Sequence, residues 1–438
     1  MGELFGDLPE AVGPDADARP AGRARLRIPV RDEVLLQICE VDALIDEDHP
    51  ARIIWAYAAR VDLSDIEAAV GSRTGVAGMP QTSPHLLLAL WLYATTRGVG
   101  SARYLAELCE STAAYRWLCG GVGVNHRLLS EFRNQQGERI GALLAAHVAA
   151  LSACGVIDLD EIVQDGVRVR ASAGAGSFRR RKTLESELIK AQALVERLSK
   201  EEPGATSKRV KAARERAARE RAARVAAALE ALAAAETLRE KRAKTNKTQT
   251  EKQKEPRAST TDAQARVMKM ADGGFRPAYN VQFASLPANG IIVAVGCEAV
   301  GSDHGLAEPT RAGLQNTYGS SPDRYLVDGG YLSEDDIEAA ARAGTTIYCP
   351  PLKSKWGRDP YELRKSDAPP VTEWRKRMAS AEGKAIYRRR AIGECVHAKL
   401  RAHGLDHLTV RGLAKVKTLM TWFALASNIL TARRLAQA

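Results

Sequence analysis

An acidic residue inside an alternating stretch is the first feature of this sequence that could carry chemistry. Residues 160–171 read DEIVQDGVRVRA, in which apolar and charged side chains alternate from Val167 to Arg170. This period of two predicts a half-buried strand, with Asp165 in it or beside it. A carboxylate there needs a compensating cation, so Asp165 is either a turn residue before Gly166 or a ligand of a metal ion.

Two further acids lie far along the chain. Asp328 ends the apolar run YLVD and precedes two glycines, and acids at the carboxyl ends of strands point into the crevice where ligands bind. Because Asp-Gly is also a strong turn signal, each aspartate taken alone favours a turn. Glu394 lies on a predicted helix, where an ion pair with Arg390 is the alternative to a ligand. Three carboxylates together predict a site for two divalent ions about 3.5–4 Å apart, which is suited to phosphodiester chemistry.

Other reaction classes lack their motifs in this chain. The patterns GxSxG, GxxxxGK[ST] and HExxH are absent, so a serine nucleophile, a P-loop and a zinc protease are not supported. The seven cysteines are scattered without a CxxC pair, which predicts neither a disulfide framework nor a zinc site. No apolar run reaches the roughly 18 residues of a membrane span, and no signal-peptide pattern is present. We therefore expect a cytoplasmic, nucleoid-associated protein.

The positive charge of the chain is concentrated in one segment. The net charge is +11, and residues 178–257 hold 23 Lys/Arg and 12 Asp/Glu, which is the whole excess. Such a block favours a polyanionic partner, with nucleic acid as the first candidate. A solvated helical arm explains the charge equally well.

The first part of the chain, residues 1–155, predicts a helical domain after a Pro/Gly/Arg-rich start. Short helices with small turns follow one another, and Ser83-Pro84 gives a clear helix start. One long helix is predicted over 127–153. The pattern fits a DNA-binding helix-turn-helix array as well as a plain helical bundle with surface arginines. The arginines that could meet phosphates in the first case are Arg103, Arg116, Arg127 and Arg133.

The second part, residues 156–438, predicts an α/β domain with a helical insertion at 178–258. Short strands are expected at 279–283, 291–296, 325–328 and 345–349, besides the strand of Asp165. The first three strands are expected to pair as hairpins and the last two through helical crossovers, which gives a mixed sheet with helices on its faces. Residues 350–380 look irregular, and helices are predicted at 384–403 and 412–436.

Several segments resemble a DDE-type insertion-sequence transposase of bacteria. They are PHLLLALWLYATTRGVGSARYLAELC, YRWLCGGVGVNHRLLSEFR, QDGVRVRAS, TDAQARVMKMADGGFRPAYNVQ, YLVDGGY and YRRRAIGECVHAKLR. The last is similar to the signature Tyr-x2-Arg-x3-Glu-x6-Lys, represented here by Tyr387, Arg390, Glu394 and Arg401. Arginine replaces the usual lysine at the final position, which keeps the charge but alters the geometry of a phosphate contact.

The resemblance implies a ribonuclease-H-like catalytic domain and an N-terminal domain that binds the element's ends. It implies that Asp165, Asp328 and Glu394 hold two Mg²⁺ or Mn²⁺ ions. It also implies hydrolysis at the terminal inverted repeats, joining of the freed 3′-hydroxyl to target DNA, and a homodimer on paired ends. The residues expected to bind DNA are Tyr387, Arg390, Lys399, Arg401, Arg103, Arg127 and Arg133.

Some residues and readings stay open at the level of sequence. His304 could reach the site or cap a loop, and Trp356 and Trp374 could stack on a flipped base or belong to the core. A second hypothesis is a decayed transposase that binds DNA as a repressor without cutting it. A third is a structural or RNA-binding coiled-coil protein built around 178–257.

Overall fold

The computed structural model describes residues 40–72, 80–200, 208–245, 255–353, 357–406 and 408–437, and residues 41–438 form one compact unit. Its helices are α1 Pro50–Ala58, α2 Ser64–Ala68, α3 Pro84–Thr96, α4 Ala102–Ser111, α5 Ala113–Cys119, α6 His126–Gln135, α7 Gly137–Ala153, α8 Arg181–Lys200, α9 Lys208–Thr245, α10 Ala307–Tyr318, α11 Glu334–Arg342, α12 Pro369–Ala379, α13 Ala381–Tyr387, α14 Ile392–Ala402 and α15 Leu413–Leu435. Its strands are β1 Glu161–Arg170, β2 Phe178–Arg179, β3 Ala258–Ser259, β4 Arg266–Lys269, β5 Phe275–Ser285, β6 Ile292–Glu298, β7 Arg324–Leu326 and β8 Thr346–Tyr348.

A six-stranded mixed sheet positions the acids. Strand β5 pairs with β1 on one side and with β4 and β6 on the other, all antiparallel. Strand β1 then pairs with β7, and β7 with β8, both parallel. The predicted mixed sheet with two crossover strands is confirmed. The first predicted hairpin is wrong, because β1 and β5 pair antiparallel but are separated by residues 171–274. Strand β4 was not predicted from the sequence.

The last helix, α15, lies at the centre of the packing. It contacts α1, α3 and α7 on one side and β6 on the other, and every residue from Leu419 to Ile429 is buried. The side chain of Asn428 accepts a hydrogen bond from the Ile292 amide and donates one to the Ile292 carbonyl, so it pairs with β6 as a neighbouring strand would. The N-terminal helices and the sheet therefore share one hydrophobic core.

Three sequence-based boundaries are wrong. The helix predicted over 127–153 is two helices, since α6 ends at Gln135 and α7 begins at Gly137. A Cβ at Gly137 would lie only 2.8 Å from the hydroxyl of Thr418 on α15. The segment 350–380 was expected to be irregular, but Pro369 starts α12 there. The helix predicted over 384–403 consists of α13, a 3-10 turn over Arg388–Ala391, and α14.

Helices α8 and α9 leave the sheet together as a pair. Strands β2 and β3 join their two ends as a short antiparallel ladder. A separate small core holds the helices together, and its buried members are Leu184, Val225, Ala228, Leu232 and Ala258. Within the described residues, no helix is both long and apolar enough to cross a membrane.

Candidate metal and DNA site

The sheet register places two of the predicted acids side by side. In the parallel pair of β1 and β7, Val163 lies opposite Leu326, and Asp165 and Asp328 each follow two residues later, near enough for their charges to interact. Neighbouring strands lie about 4.8 Å apart in the hydrogen-bonding direction. Asp165 is not a turn residue, because it pairs with Phe283 inside the ladder of β1 and β5.

The Asp165 carboxyl group is largely enclosed by protein. Its side chain is 16% exposed, and one oxygen accepts a hydrogen bond from the Gly166 amide at 2.9 Å. Burial raises the pKa of this carboxyl group, the nearby Arg390 opposes that shift, and the charge of Asp328 adds to it. The ionised form of Asp165 is therefore less favoured here than it would be in water.

Asp328 lies two residues after the end of β7 and begins a turn. The Tyr331 amide donates to the Asp328 carbonyl oxygen at 3.2 Å, and the Gly329 amide donates to the carboxylate at 2.9 Å. The Tyr387 hydroxyl donates to the same carboxylate oxygen at 3.2 Å. Burial raises the pKa of Tyr387 to about 12, so this hydroxyl stays protonated and remains a donor near neutral pH.

Helix α14 packs directly against Asp165 through a glycine. A Cβ at Gly393 would lie 2.9 Å from the Asp165 Cβ and 3.1 Å from its Oδ2, so no larger residue fits without movement. Arg390 lies between two acids, with its guanidinium nitrogens 3.5 Å from Asp165 Oδ2 and 3.9 Å from Glu394 Oε1. The Glu394 side chain is 74% exposed and points into solvent.

The three acids are thus neighbours but do not converge. Among the described residues, no group of three His, Cys, Asp or Glu side chains is arranged to hold a metal ion. Asp165 and Asp328 lie together, and Glu394 lies on the adjacent helix one residue after the glycine that contacts Asp165.

A buried polar network, which sequence reasoning missed, connects the strands of the two aspartates. The Gln282 Oε1 accepts hydrogen bonds from Gln164 at 2.9 Å and from the Tyr331 hydroxyl at 2.8 Å. Its Nε2 donates to Asp303 at 3.0 Å. A Cβ at Gly166 would lie within 3 Å of Gln282, Asp303 and Tyr331. The network therefore ties β1 to the turn that carries Asp328.

His397 is a second residue that the sequence reasoning missed. It is buried, its Nδ1 lies 3.8 Å from Asp165 Oδ2, and its ring packs against Phe283. Burial lowers the pKa of His397 to about 4, so the ring is neutral at neutral pH. Its position three residues after Glu394 on a helix was the available signal.

Arg389, the residue before Arg390, anchors the 3-10 turn to β1. Arg389 lies 2.9 Å from Glu161 Oε2, and the same oxygen contacts Arg324 at 3.0 Å. Arg401 lies on the exposed side of α14.

Lys399, which the sequence assigns to the DNA surface, makes packing contacts in this structure. Its ammonium group donates hydrogen bonds to the Ser427 carbonyl and the Thr431 hydroxyl of α15. Burial lowers the pKa of Lys399 to about 8, with Arg434 adding to that shift. An ammonium group held against α15 is not presented to a phosphate.

Arg133, which is also predicted to bind DNA, likewise contacts its own chain. Its guanidinium group lies 4.2 Å from the ring centre of Trp91 and donates a hydrogen bond to the Gly100 carbonyl at 2.7 Å. Burial lowers the pKa of Arg133 to about 10. The residue therefore joins helices inside the N-terminal region. Of the other arginines of this region that were predicted to meet phosphates, Arg103, Arg116 and Arg127 are exposed.

The remaining residues singled out in the sequence have clear positions. His304 is exposed in the loop before α10, where its amide is capped by Ser302. Trp374 is buried, and its indole nitrogen donates to the Cys349 carbonyl at 2.8 Å. It is a core residue, and Trp356 lies outside the described residues.

Comparison with known proteins matches two regions of this chain. A family model described as Transposase DDE domain matches residues 240–429, and one described as Transposase domain (DUF772) matches residues 39–135. Asp328 and Glu394 lie inside the first region, and Asp165 precedes it. No curated protein and no solved structure matches the chain. The mixed sheet and these two matches, which together cover about two thirds of the sequence, establish that the chain belongs to the DDE-type transposases of insertion sequences.

Proposed function

We propose that this transposase binds the terminal inverted repeats of its element, hydrolyses DNA there with divalent metal ions and joins the 3′-hydroxyl ends to target DNA. The proposed metal ligands are Asp165, Asp328 and Glu394. The observation that carries the proposal is the register that sets Asp165 beside Asp328, with the helix of Glu394 packed on Asp165.

The residues present fit such metal ions. Asp165 is buried, its pKa is raised by that burial, and a second carboxylate lies beside it. Carboxylate oxygens are the ligands that Mg²⁺ and Mn²⁺ prefer. Two bound ions would activate the attacking oxygen and steady the leaving oxygen of an in-line displacement.

Arg390 is proposed to change partner during the reaction. It balances Asp165 from 3.5 Å in this structure. Burial disfavours its charged form, but Tyr387, Asp165 and Asp328 outweigh this effect and raise its pKa, so it remains a cation. A guanidinium group at this position can bind a DNA phosphate with two parallel hydrogen bonds. Tyr387, which donates to Asp328, orients that carboxylate and lies beside Arg390.

Glu394 is proposed to join the site by rotation of its side chain. The only ion pair of its carboxylate within the described residues is the 3.9 Å contact with Arg390. An exposed side chain changes rotamer at little cost, whereas its helix is held against Asp165 by Gly393. The backbone is therefore in place before the side chain turns inward.

DNA is proposed to contact the exposed basic residues around this site. The protein is proposed to act as a homodimer that holds two transposon ends together. Arg401 of α14 is available for the phosphates near the cut, and Arg103 and Arg127 are available in the N-terminal region. Arg133 and Lys399 are left out of this set because both are engaged inside the protein.

Two isosteric substitutions with matched controls test the proposal. Asp328→Asn and Glu394→Gln are expected to abolish Mg²⁺-dependent cleavage of the element's end DNA while binding persists. The controls Asp323→Asn and Glu382→Gln alter exposed acids in the loop before β7 and on α13 and should cleave normally. Cleavage that survives Asp328→Asn would contradict the assignment. Binding without scission by the unaltered protein in any metal would instead indicate a repressor.

A further inference from the structure

The excess positive charge of the α8–α9 pair lies at its far end. Residues 208–224, the first part of α9, contain eight Lys/Arg and two Asp/Glu. Residues 225–245 of the same helix contain four Lys/Arg and three Asp/Glu. Because β2 and β3 fix the other end of the pair to the rest of the protein, the charged end is the one that projects away.

A groove runs between α8 and α9 at this far end, with a volume of about 830 Å³. Its apolar lining comes from Leu194, Leu198, Ala217 and Ala218. Among the described residues, its polar lining consists only of basic side chains, namely Arg197, Lys200, Arg214 and Arg221. We call these eight residues the tip groove. The small alanines of α9 leave the space open, and residues 201–207, which connect the two helices, lie outside the described part of the chain.

Three of the four cations are uncompensated within the described residues. Lys200 pairs with Glu196 at 2.6 Å, whereas Arg197, Arg214 and Arg221 are exposed and make no ion pair there.

The opposite end of the helix pair is different. Arg180 lies 3.0 Å from Glu255, and Arg181 pairs with Glu236. Arg179 lies 3.6 Å from Glu187. These three arginines near the sheet are therefore neutralised by the chain itself, while three of the four tip-groove cations have no acidic partner in the described part of the chain.

The spacing of these arginines suits a nucleic-acid backbone. Arg214 and Arg221 are seven residues apart on one helix, which is about 10 Å along its axis and about three nucleotides along one DNA strand. Arg197 follows Arg181 by sixteen residues, which places the groove about 24 Å along α8 from its start. That distance corresponds to about seven base pairs of duplex DNA.

We propose that the tip groove binds the phosphate backbone of duplex DNA, without reading its sequence, about seven base pairs away from where the helix pair leaves the sheet. The inference rests on the proposed function only in taking DNA as the partner. The groove supplies phosphate contacts from arginine, whose fork matches phosphate geometry, and none of its residues belongs to the metal site. Its role is to hold a part of the DNA that is not cut.

The test compares salt dependence of binding. The triple variant Arg197→Gln, Arg214→Gln and Arg221→Gln is titrated with a random-sequence duplex, without metal, over a series of salt concentrations. Loss of three phosphate contacts should reduce the slope of log K against log salt by about 2.7. Affinity should fall at least about tenfold near 0.1 M salt. The corresponding Arg→Lys triple should keep most of the slope.

A charge-matched control separates local contacts from net charge. Arg219→Gln, Arg342→Gln and Lys376→Gln together remove three cations that already pair with neighbouring acids, so the slope should stay near that of the unaltered protein. Circular dichroism checks that the helix pair still folds, as expected for glutamine at exposed helical positions. Equal slopes for both triple variants would overturn the proposal. So would a change in sedimentation with unaltered DNA binding, which would assign the groove to another protein copy.

This experiment is independent of catalysis. It uses random DNA without metal and can be repeated in the Asp328→Asn background. DNA binding by the tip groove can therefore be confirmed or refuted whether or not the protein cuts DNA.

Discussion

Replacing Gly393 with alanine tests whether the contact between α14 and Asp165 sets the geometry of the site. The added Cβ would lie 2.9 Å from the Asp165 Cβ, whereas carbon atoms pack best at about 3.5–4.0 Å. The helix and the strand must therefore separate by about 0.6–1 Å. This displacement acts on Asp165 and on the backbone of Glu394 at the same time.

The expected effect on stability is small because two terms oppose each other. Alanine in place of glycine inside a helix stabilises by about 1 kcal/mol, and overpacking costs about 1–3 kcal/mol. The free energy of unfolding should then fall by no more than about 2 kcal/mol. The rate is more sensitive, since a misplacement of about 1 Å can cost about a hundredfold. We expect cleavage to slow by about 10- to 100-fold in a folded protein.

Single-turnover cleavage of labelled end DNA in Mg²⁺, with urea unfolding in parallel, measures both quantities. Gly141→Ala on α7 is the matched control, because a Cβ there meets nothing within 4 Å. It should stabilise the protein slightly and leave the cleavage rate unchanged. A normal rate for Gly393→Ala in the folded protein would refute the argument that this close approach positions the acids.

Three further predictions concern charge and the buried network. Burial raises the pKa of Asp165, which disfavours its ionised form in the folded state. Asp165→Asn should therefore abolish cleavage but raise the free energy of unfolding at pH 8 without metal. Urea titrations should show that this gain in stability vanishes as the pH falls through the raised pKa. Burial lowers the pKa of Lys399 to about 8, so Lys399→Met should stabilise at pH 7, with a gain that shrinks between pH 8 and 10.5. DNA titrations should show no change in salt slope for Lys399→Met, whereas Arg401→Gln should lower the slope by about 0.9; the reverse pattern would contradict the two placements. Tyr331→Phe removes a buried hydrogen bond to Gln282, so thermal and urea unfolding should show a loss of about 1–2 kcal/mol together with slower cleavage, and unchanged cleavage would separate the network from the site.

The sequence was most informative where a local pattern decides the structure. Alternation after Asp165 and the short apolar runs predicted the strands, and their order predicted the mixed sheet. The helical spacing of Tyr387, Arg390 and Glu394 placed them near one another, although the segment divides into two helices and a 3-10 turn. Such features depend on neighbours in the chain.

The sequence was least informative where burial depends on distant elements. Lys399 and Arg401 are two residues apart, yet the first packs against α15 and the second is exposed. The neighbouring sequence does not distinguish the two residues, because their burial depends on the position of α15. Similarly, Asn280 and Gln282 occupy the polar positions of an alternating strand. Both are buried, since β5 is covered on both faces.

The central claim is that three acids share metal ions, and anomalous scattering from Mn²⁺ in crystals of the protein with its end DNA tests it most directly. We expect one anomalous peak within about 2.5 Å of carboxylate oxygens of Asp165 and Asp328, and a second beside a Glu394 side chain that has rotated toward them. Saturating Mn²⁺ that binds elsewhere, or leaves Asp165 and Asp328 without a peak, would contradict it.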